Sequence, residues 1–227
     1  SYVRGKWARK QHGYASMLMA KCSHDLDLIA WLKSGVHPHL VSSFGSNFQF
    51  RPERAPAGAG TRCLVDCAIE PDCPYSARKH YLASAERRNT YVWQDSEEGE
   101  GELTMEKKIA LLKETSPFGR CVWKCDMDVV DHQTVLIDFE DGSTATHTMV
   151  GGTAKASRDI HLVGTLGEIE GTFEDDRFVI RYIHPGLDLA YAEEVVDLSH
   201  RGEQYGDLSR HGGGDLRLVA DFLRVIR

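Results

Sequence analysis

Apolar residues recur at helical spacing from about Met17 to Lys33, where Leu18, Cys22, Ile29 and Leu32 make one stripe and Gly35 supplies the stop. Ahead of that stripe, Tyr2 to Arg9 alternates in the manner of a strand and leads into a Gly/Tyr turn. Behind it, His39 to Phe50 carries β-branched and aromatic residues and reads as a strand. Arg51 to Arg62 is a Pro/Ala/Gly-rich loop. A cysteine-bearing segment runs from Cys63 to Cys73, and a short helix is predicted near Tyr75 to Ser84, with another from about Thr104 to Glu114.

From Val129 onward the apolar period changes to two. Thr134 to Glu140 and Ser143 to Val150 form a hairpin across the tight turn Asp141-Gly142. Ile160 to Thr165, Glu168 to Phe173 and Arg177 to Ile183 continue as strands, separated by Gly167 and Asp175-Asp176. Strands joined by tight turns make an antiparallel sheet, so the predicted class is α+β, a largely antiparallel β-sheet with helices packed on it. A last helical stripe, Leu216, Val219, Phe222, Leu223 and Ile226, lies within Asp215 to Arg227 and is still in phase at its end. With a strand-like alternation at the start as well, the sequence reads as a domain that continues in both directions.

Composition narrows the function classes. A length of 227 residues suits one domain, 1–227, with a real core, and 41% apolar with 27% charged residues is ordinary for a globular chain. The net charge of −7 and the dispersed basic residues argue against general nucleic-acid binding. No apolar run approaches the roughly 18 residues of a membrane span. Ser1 to Lys10 lacks the apolar core of a signal peptide. Six cysteines are too few for a disulfide-dense secreted scaffold, which points to a reduced, cytoplasmic protein. Asp95 to Glu106 holds six acidic residues and no basic one, and reads as a solvated, mobile loop. A dinucleotide site needs a strand, a Gly-x-Gly-x-x-Gly turn and a helix, and no glycine group here has both flanks.

Candidate chemistry concentrates in the run Met17 to Leu28. On a helix Lys21, His24, Asp27 and Leu28 are related by steps of three and four and project from one side. A cation, an imidazole and a carboxylate on one stripe suit a substrate hydroxyl, because alcohol oxidation removes the O–H proton as hydride leaves carbon. The plainer reading is a surface face with an ordinary Lys21–Asp25 pair. Asp131-His132 is a second constellation, although neighbours on a strand face opposite ways and share a pocket only in a turn. The plainer reading there makes His132 a buried sheet residue. His211 precedes three glycines, on a backbone able to approach a ligand closely or simply turning into a helix. Cys63, Cys67 and Cys73 have x3 and x5 spacings, unlike the tight knuckle of structural zinc. With a fourth ligand from elsewhere they would suit zinc or an iron–sulfur cluster; without one they are small apolar residues.

The stretch Ala20-Lys-Cys-Ser-His24-Asp-Leu-Asp27-Leu-Ile-Ala-Trp31-Leu resembles the helix of the Gfo/Idh/MocA oxidoreductase family that carries a His-Asp-x-Asp-Leu run. Cys63 to Ala77, Gly119 to Gln133, Gly164 to Gly171 and His211 to Asp215 also fit one branch of that family, in the expected order. The resemblance implies a C-terminal substrate and oligomerisation domain whose partner, an N-terminal Rossmann domain, holds NAD or NADP outside this chain. It implies a sugar, inositol or related polyol as the small-molecule substrate, a homo-oligomer formed through the sheet, and His24 against the reacting hydroxyl with Lys21 beside it. Asp27, Asp131, His132 and His211 become substrate-binding residues on this reading. Ala20 departs from the pattern, since many members carry aspartate there. A non-catalytic module that binds carbohydrate or drives assembly, steadied by metal on its cysteines, is the alternative.

Overall fold

The structure is a computed structural model that describes residues 2–5, 8, 16–83, 92, 104–184, 190–198 and 214–225. The chain forms two compact units, Ser1–Thr153 and Ala154–Arg227. Its class is α+β: each unit holds one antiparallel sheet, accompanied by a few helices.

In the first unit, strands β1 (Pro38–Ser46), β2 (His132–Phe139) and β3 (Thr144–Val150) lie in the order β1-β2-β3. The predicted hairpin is present, with Gly142 in the left-handed region at φ +79°. Asp141 Oδ1 closes the turn by accepting from the Ser143 N–H at 3.0 Å and hydroxyl at 2.7 Å. Period-two alternation sorts β2 as expected: Val135, Ile137 and Phe139 are buried, while Leu136 is exposed. Helix α1 (Ser23–Leu32) covers that buried row, preceded directly by a π-helical turn at Leu18–Cys22. Leu18, Leu26 and Ile29 pack there together with Val36 and Ala145. Of the predicted stripe, Leu32 stays largely exposed at the helix end, beyond this contact. Strand β1 is an edge strand exposed along its whole length, and it stops at Ser46 rather than Phe50.

The rest of the first unit is mostly irregular backbone around two small apolar clusters. Helix α2 (Ala77–Tyr81) is capped by Ser76, whose hydroxyl accepts from the Lys79 N–H, and α3 (Met105–Lys113) is capped in the same way by Thr104. One cluster gathers Tyr81, Val92, Leu112 and Phe118. The other stacks Phe50, Tyr75 and Trp123 edge to face, with successive centroids 5.4 Å apart.

Of the strand expected from Tyr2 to Arg9, the described residues Tyr2 to Gly5 run through turns instead. The physical reason is Arg4, which is buried and directs its guanidinium to the carbonyls of Arg120 and Tyr75, both at 2.6 Å. Those bonds hold the turn at Arg4 against distant parts of the unit. The acidic stretch 93–103, His211 and the remainder of the chain's ends lie outside the described residues.

In the second unit, β4 (Asp159–Val163), β5 (Gly167–Thr172), β6 (Arg177–Ile183) and β7 (Tyr191–Asp197) form an antiparallel meander in sequence order. Asp176 occupies the left-handed region at φ 50° in the β5–β6 turn. Ile160, Leu162, Ile169, Phe178, Ile180 and Val196 share one half-buried face. On the other face Arg181 meets Glu168, Glu170 and Glu193 at 3.0 to 3.1 Å. Strand β7 escapes period reading because Glu193-Glu194 interrupts the apolar alternation. Helix α4 (Gly214–Val225) starts on the last of the three glycines, with Val219, Phe222, Leu223 and Val225 exposed.

Candidate functional site

Helix α1 presents two chemically different sides. Its inner side carries Asp25, with Cys22 of the preceding π-helical turn, toward β3, where the Asp25 carboxylate lies 3.5 Å from His147 Nε2. The Cys22 sulfur, the Asp25 carboxylate and the His147 ring donor all lie within 4.8 Å of one another. Cys22 is buried and the other two are half-buried, and His147 Nδ1 is buried with no hydrogen-bond partner among the described residues. The outer side carries His24 and Asp27, both exposed, with Lys21 half-buried one turn earlier. Lys21 belongs to the π-helical turn. That wider turn shifts it from the position the regular helical spacing assigns, a feature often found at functional sites.

Asp131 and His132 form a second site at the opposite end of the logic: here the carboxylate is inside and the imidazole outside. Asp131 is buried in the bend before β2. Its carboxylate accepts from three consecutive backbone N–H groups, Phe48 at 3.0 Å, Gln49 at 2.6 Å and Phe50 at 3.0 Å. His132 Nδ1 adds a fourth contact at 2.9 Å. Burial pushes the Asp131 carboxyl up, but the bonds from His132 and the three N–H groups outweigh it and hold it below the ordinary range. An ionised carboxylate only accepts, so Nδ1 carries the proton of this bond, and in the neutral ring Nε2 is left as an acceptor. The His132 side chain is 44% exposed, where a buried sheet residue was the plainer expectation. Phe48 stands edge-on to it at 6.2 Å, and the Arg54 guanidinium caps the Phe48 ring at 4.3 Å.

An open pocket of about 470 Å³ lies against this pair, walled by Ser46, Phe48, Gln49 and Val150. Both residues line it because Asp131 sits in a bend, the one arrangement in which sequence neighbours share a pocket. No residue of α1 lines it, so the structure does not gather His24, Lys21 and Asp27 with Asp131 and His132 in one cavity.

Of the three cysteines named from spacing, Cys63 and Cys73 are buried and Cys67 is half-buried. Cys121 packs with Cys73 in one of the apolar clusters. His147 was missed in the sequence, although period-two alternation through Ala145, His147 and Met149 turns it inward. What the chain pattern lacks is the register that sets it beside Asp25.

No protein-family model matches the chain, and no characterised protein matches it at the level of sequence. Among solved structures, a levoglucosan dehydrogenase in complex with NADH and levoglucosan overlaps it with a TM-score of 0.28 and 19% identity. The overlap covers 31% of this chain and 20% of that one, which is too little to carry an argument. No helix among the described residues is long and apolar enough to cross a membrane.

Proposed function

We propose that this chain is the substrate-facing and oligomer-forming part of an NAD(P)-dependent oxidoreductase acting on a sugar, inositol or related polyol. The observation that carries the reading is the position of His24. The motif that resembles the Gfo/Idh/MocA helix folds as α1, its inner side seated on the sheet through Leu26, Ile29, Cys22 and Asp25, and His24 is left outward beside Asp27. An imidazole held on a seated helix is placed to take a hydroxyl proton near neutral pH. The nicotinamide cofactor, held by a separate dinucleotide-binding domain, supplies the hydride acceptor. Lys21 and Asp27 then orient neighbouring hydroxyls, and the Asp131–His132 pocket offers a second polyol-binding surface with Phe48 as its apolar wall. The half-buried apolar face of β4 to β7 is the surface a second copy would cover.

A specific feature favours the alternative of a non-catalytic carbohydrate-binding or assembly module: Ala20 stands where the resembled pattern carries an acid. The two readings separate in one experiment on the protein carrying this chain together with its cofactor-binding part. His24→Ala should lower turnover by about 10²-fold or more, the usual scale for a general acid–base group, with an unchanged melt. Near-normal turnover with a normal melt removes His24 from the mechanism and leaves the binding module.

A further inference from the structure

Four cysteines from three separate stretches of chain meet in the irregular part of the first unit. Arg62 and Arg120 pair as an isolated antiparallel bridge, flanked by Cys63 N–H to Gly119 O at 2.9 Å and Cys121 N–H to Thr61 O at 2.8 Å. Residues one step from a bridged pair project to the same face, so Cys63 and Cys121 are diagonal neighbours on that face. Asp66 fixes the adjoining loop by accepting from the Thr61 N–H, the Thr61 hydroxyl and the Arg62 N–H, which brings Cys67 back beside Cys63. Arg4 joins all three stretches. Its guanidinium bonds the Cys63 sulfur at 3.3 Å, the carbonyl preceding Cys121, and the carbonyl two residues beyond Cys73.

We propose that Cys63, Cys67, Cys73 and Cys121 hold an iron–sulfur cluster of the [4Fe–4S] type, which pins these three stretches together. A further observation supports an anionic metal centre over four apolar fillers. Arg4 is buried, and its partners are carbonyls, Tyr81 and the Cys63 sulfur, with no carboxylate among the described residues. A buried cation needs an opposite charge, which thiolate-bound iron provides. Metal binding displaces thiol protons and couples to folding.

The four sulfurs are not gathered as a zinc tetrahedron would hold them. A zinc tetrahedron with bonds of about 2.3 Å sets its sulfurs about 3.8 Å apart. Yet among the described residues the group whose donors converge within 4.8 Å is Cys22, Asp25 and His147, and not these cysteines. In a cuboid each thiolate binds a different iron, and the sulfurs stand wider. The fifth nearby cysteine is not a ligand. Cys125 donates its S–H to the Cys121 carbonyl at 3.0 Å.

The test uses the full chain, prepared without oxygen and supplied with ferrous iron and sulfide, and is independent of the oxidoreductase reading. Bound iron, acid-labile sulfide and visible absorption are measured after desalting. The expected result is about four iron and four sulfide per chain, with absorption that bleaches on reduction. Cys121→Ser and Cys67→Ser should each lose most of the iron, whereas Cys125→Ser should keep it. Stoichiometric zinc without sulfide, or six freely titrating thiols in the native chain, overturns the assignment. Full iron retention in the Cys121→Ser variant does the same.

Discussion

The carboxylate of Asp131 lies 2.9 Å from Nδ1 of His132, the next residue along, while the same carboxylate takes three backbone N–H bonds from 48–50. One buried acid therefore shapes the turn after β1 and sets the tautomer of an exposed imidazole. Asp131→Ala should destabilise the chain on the order of 3 kcal/mol, because it strands several N–H donors away from water. Chemical denaturation of the variant against the native chain measures this, and a midpoint shift near zero would mean the turn is held by other contacts.

Acid should weaken the fold through two carboxylates. Backbone N–H bonds from Arg62 and Thr61 and the Thr61 hydroxyl bring Asp66 down to about 2 from its ordinary 3.8, and Asp131 is lowered as well. A depressed folded value means the stabilisation is present above the unfolded value and is lost as pH falls through the folded one. Melting temperature should thus hold from neutral pH to about 4 and decline toward pH 2. Asp66→Asn should flatten that decline; an unaltered slope would place the acid sensitivity elsewhere.

Gly119→Ala should cost about 2–3 kcal/mol. A Cβ at this position runs into the Leu112 carbonyl, and the same glycine's carbonyl receives the Cys63 N–H. Thermal melts of the variant report the loss, and wild-type stability would show that α3 can move aside freely.

The two histidines of the α1 region should respond in opposite ways. His24 is exposed, so His24→Ala should change stability by no more than about 0.5 kcal/mol. His147 is paired with Asp25 and inward-facing, and His147→Ala should cost about 1 kcal/mol or more by unseating the helix. Equal effects at both positions would contradict the inner and outer assignment of α1.

Much of the fold was legible in residue pattern because it follows from local periods. The 3.6 repeat from Met17 to Lys33, the period-two rows after Thr134 and the Asp141-Gly142 turn all appear where expected. Those signals arise within a few residues, and burial of one face confirms them. The Tyr2 to Arg9 alternation failed because it carried no information on the distant carbonyls that Arg4 would meet. Strand β7 was hidden because its adjacent glutamates are matched by Arg181 and the Tyr182 hydroxyl on β6, which only pairing supplies.

The candidate residues divide along the same line. Sequence by itself determined the α+β class, the helical placement of His24 and Asp27, and the presence of three thiols at two suggestive spacings. Tertiary structure alone decided that Asp131 and His132 share a pocket, that His147 meets Asp25, that Cys121 stands with Cys63, and that His24 lies outside the Asp131 pocket. The physical reason is range. Periodicity records which side of an element avoids water, whereas a site is assembled by strand register and by buried hydrogen bonds between residues dozens of positions apart.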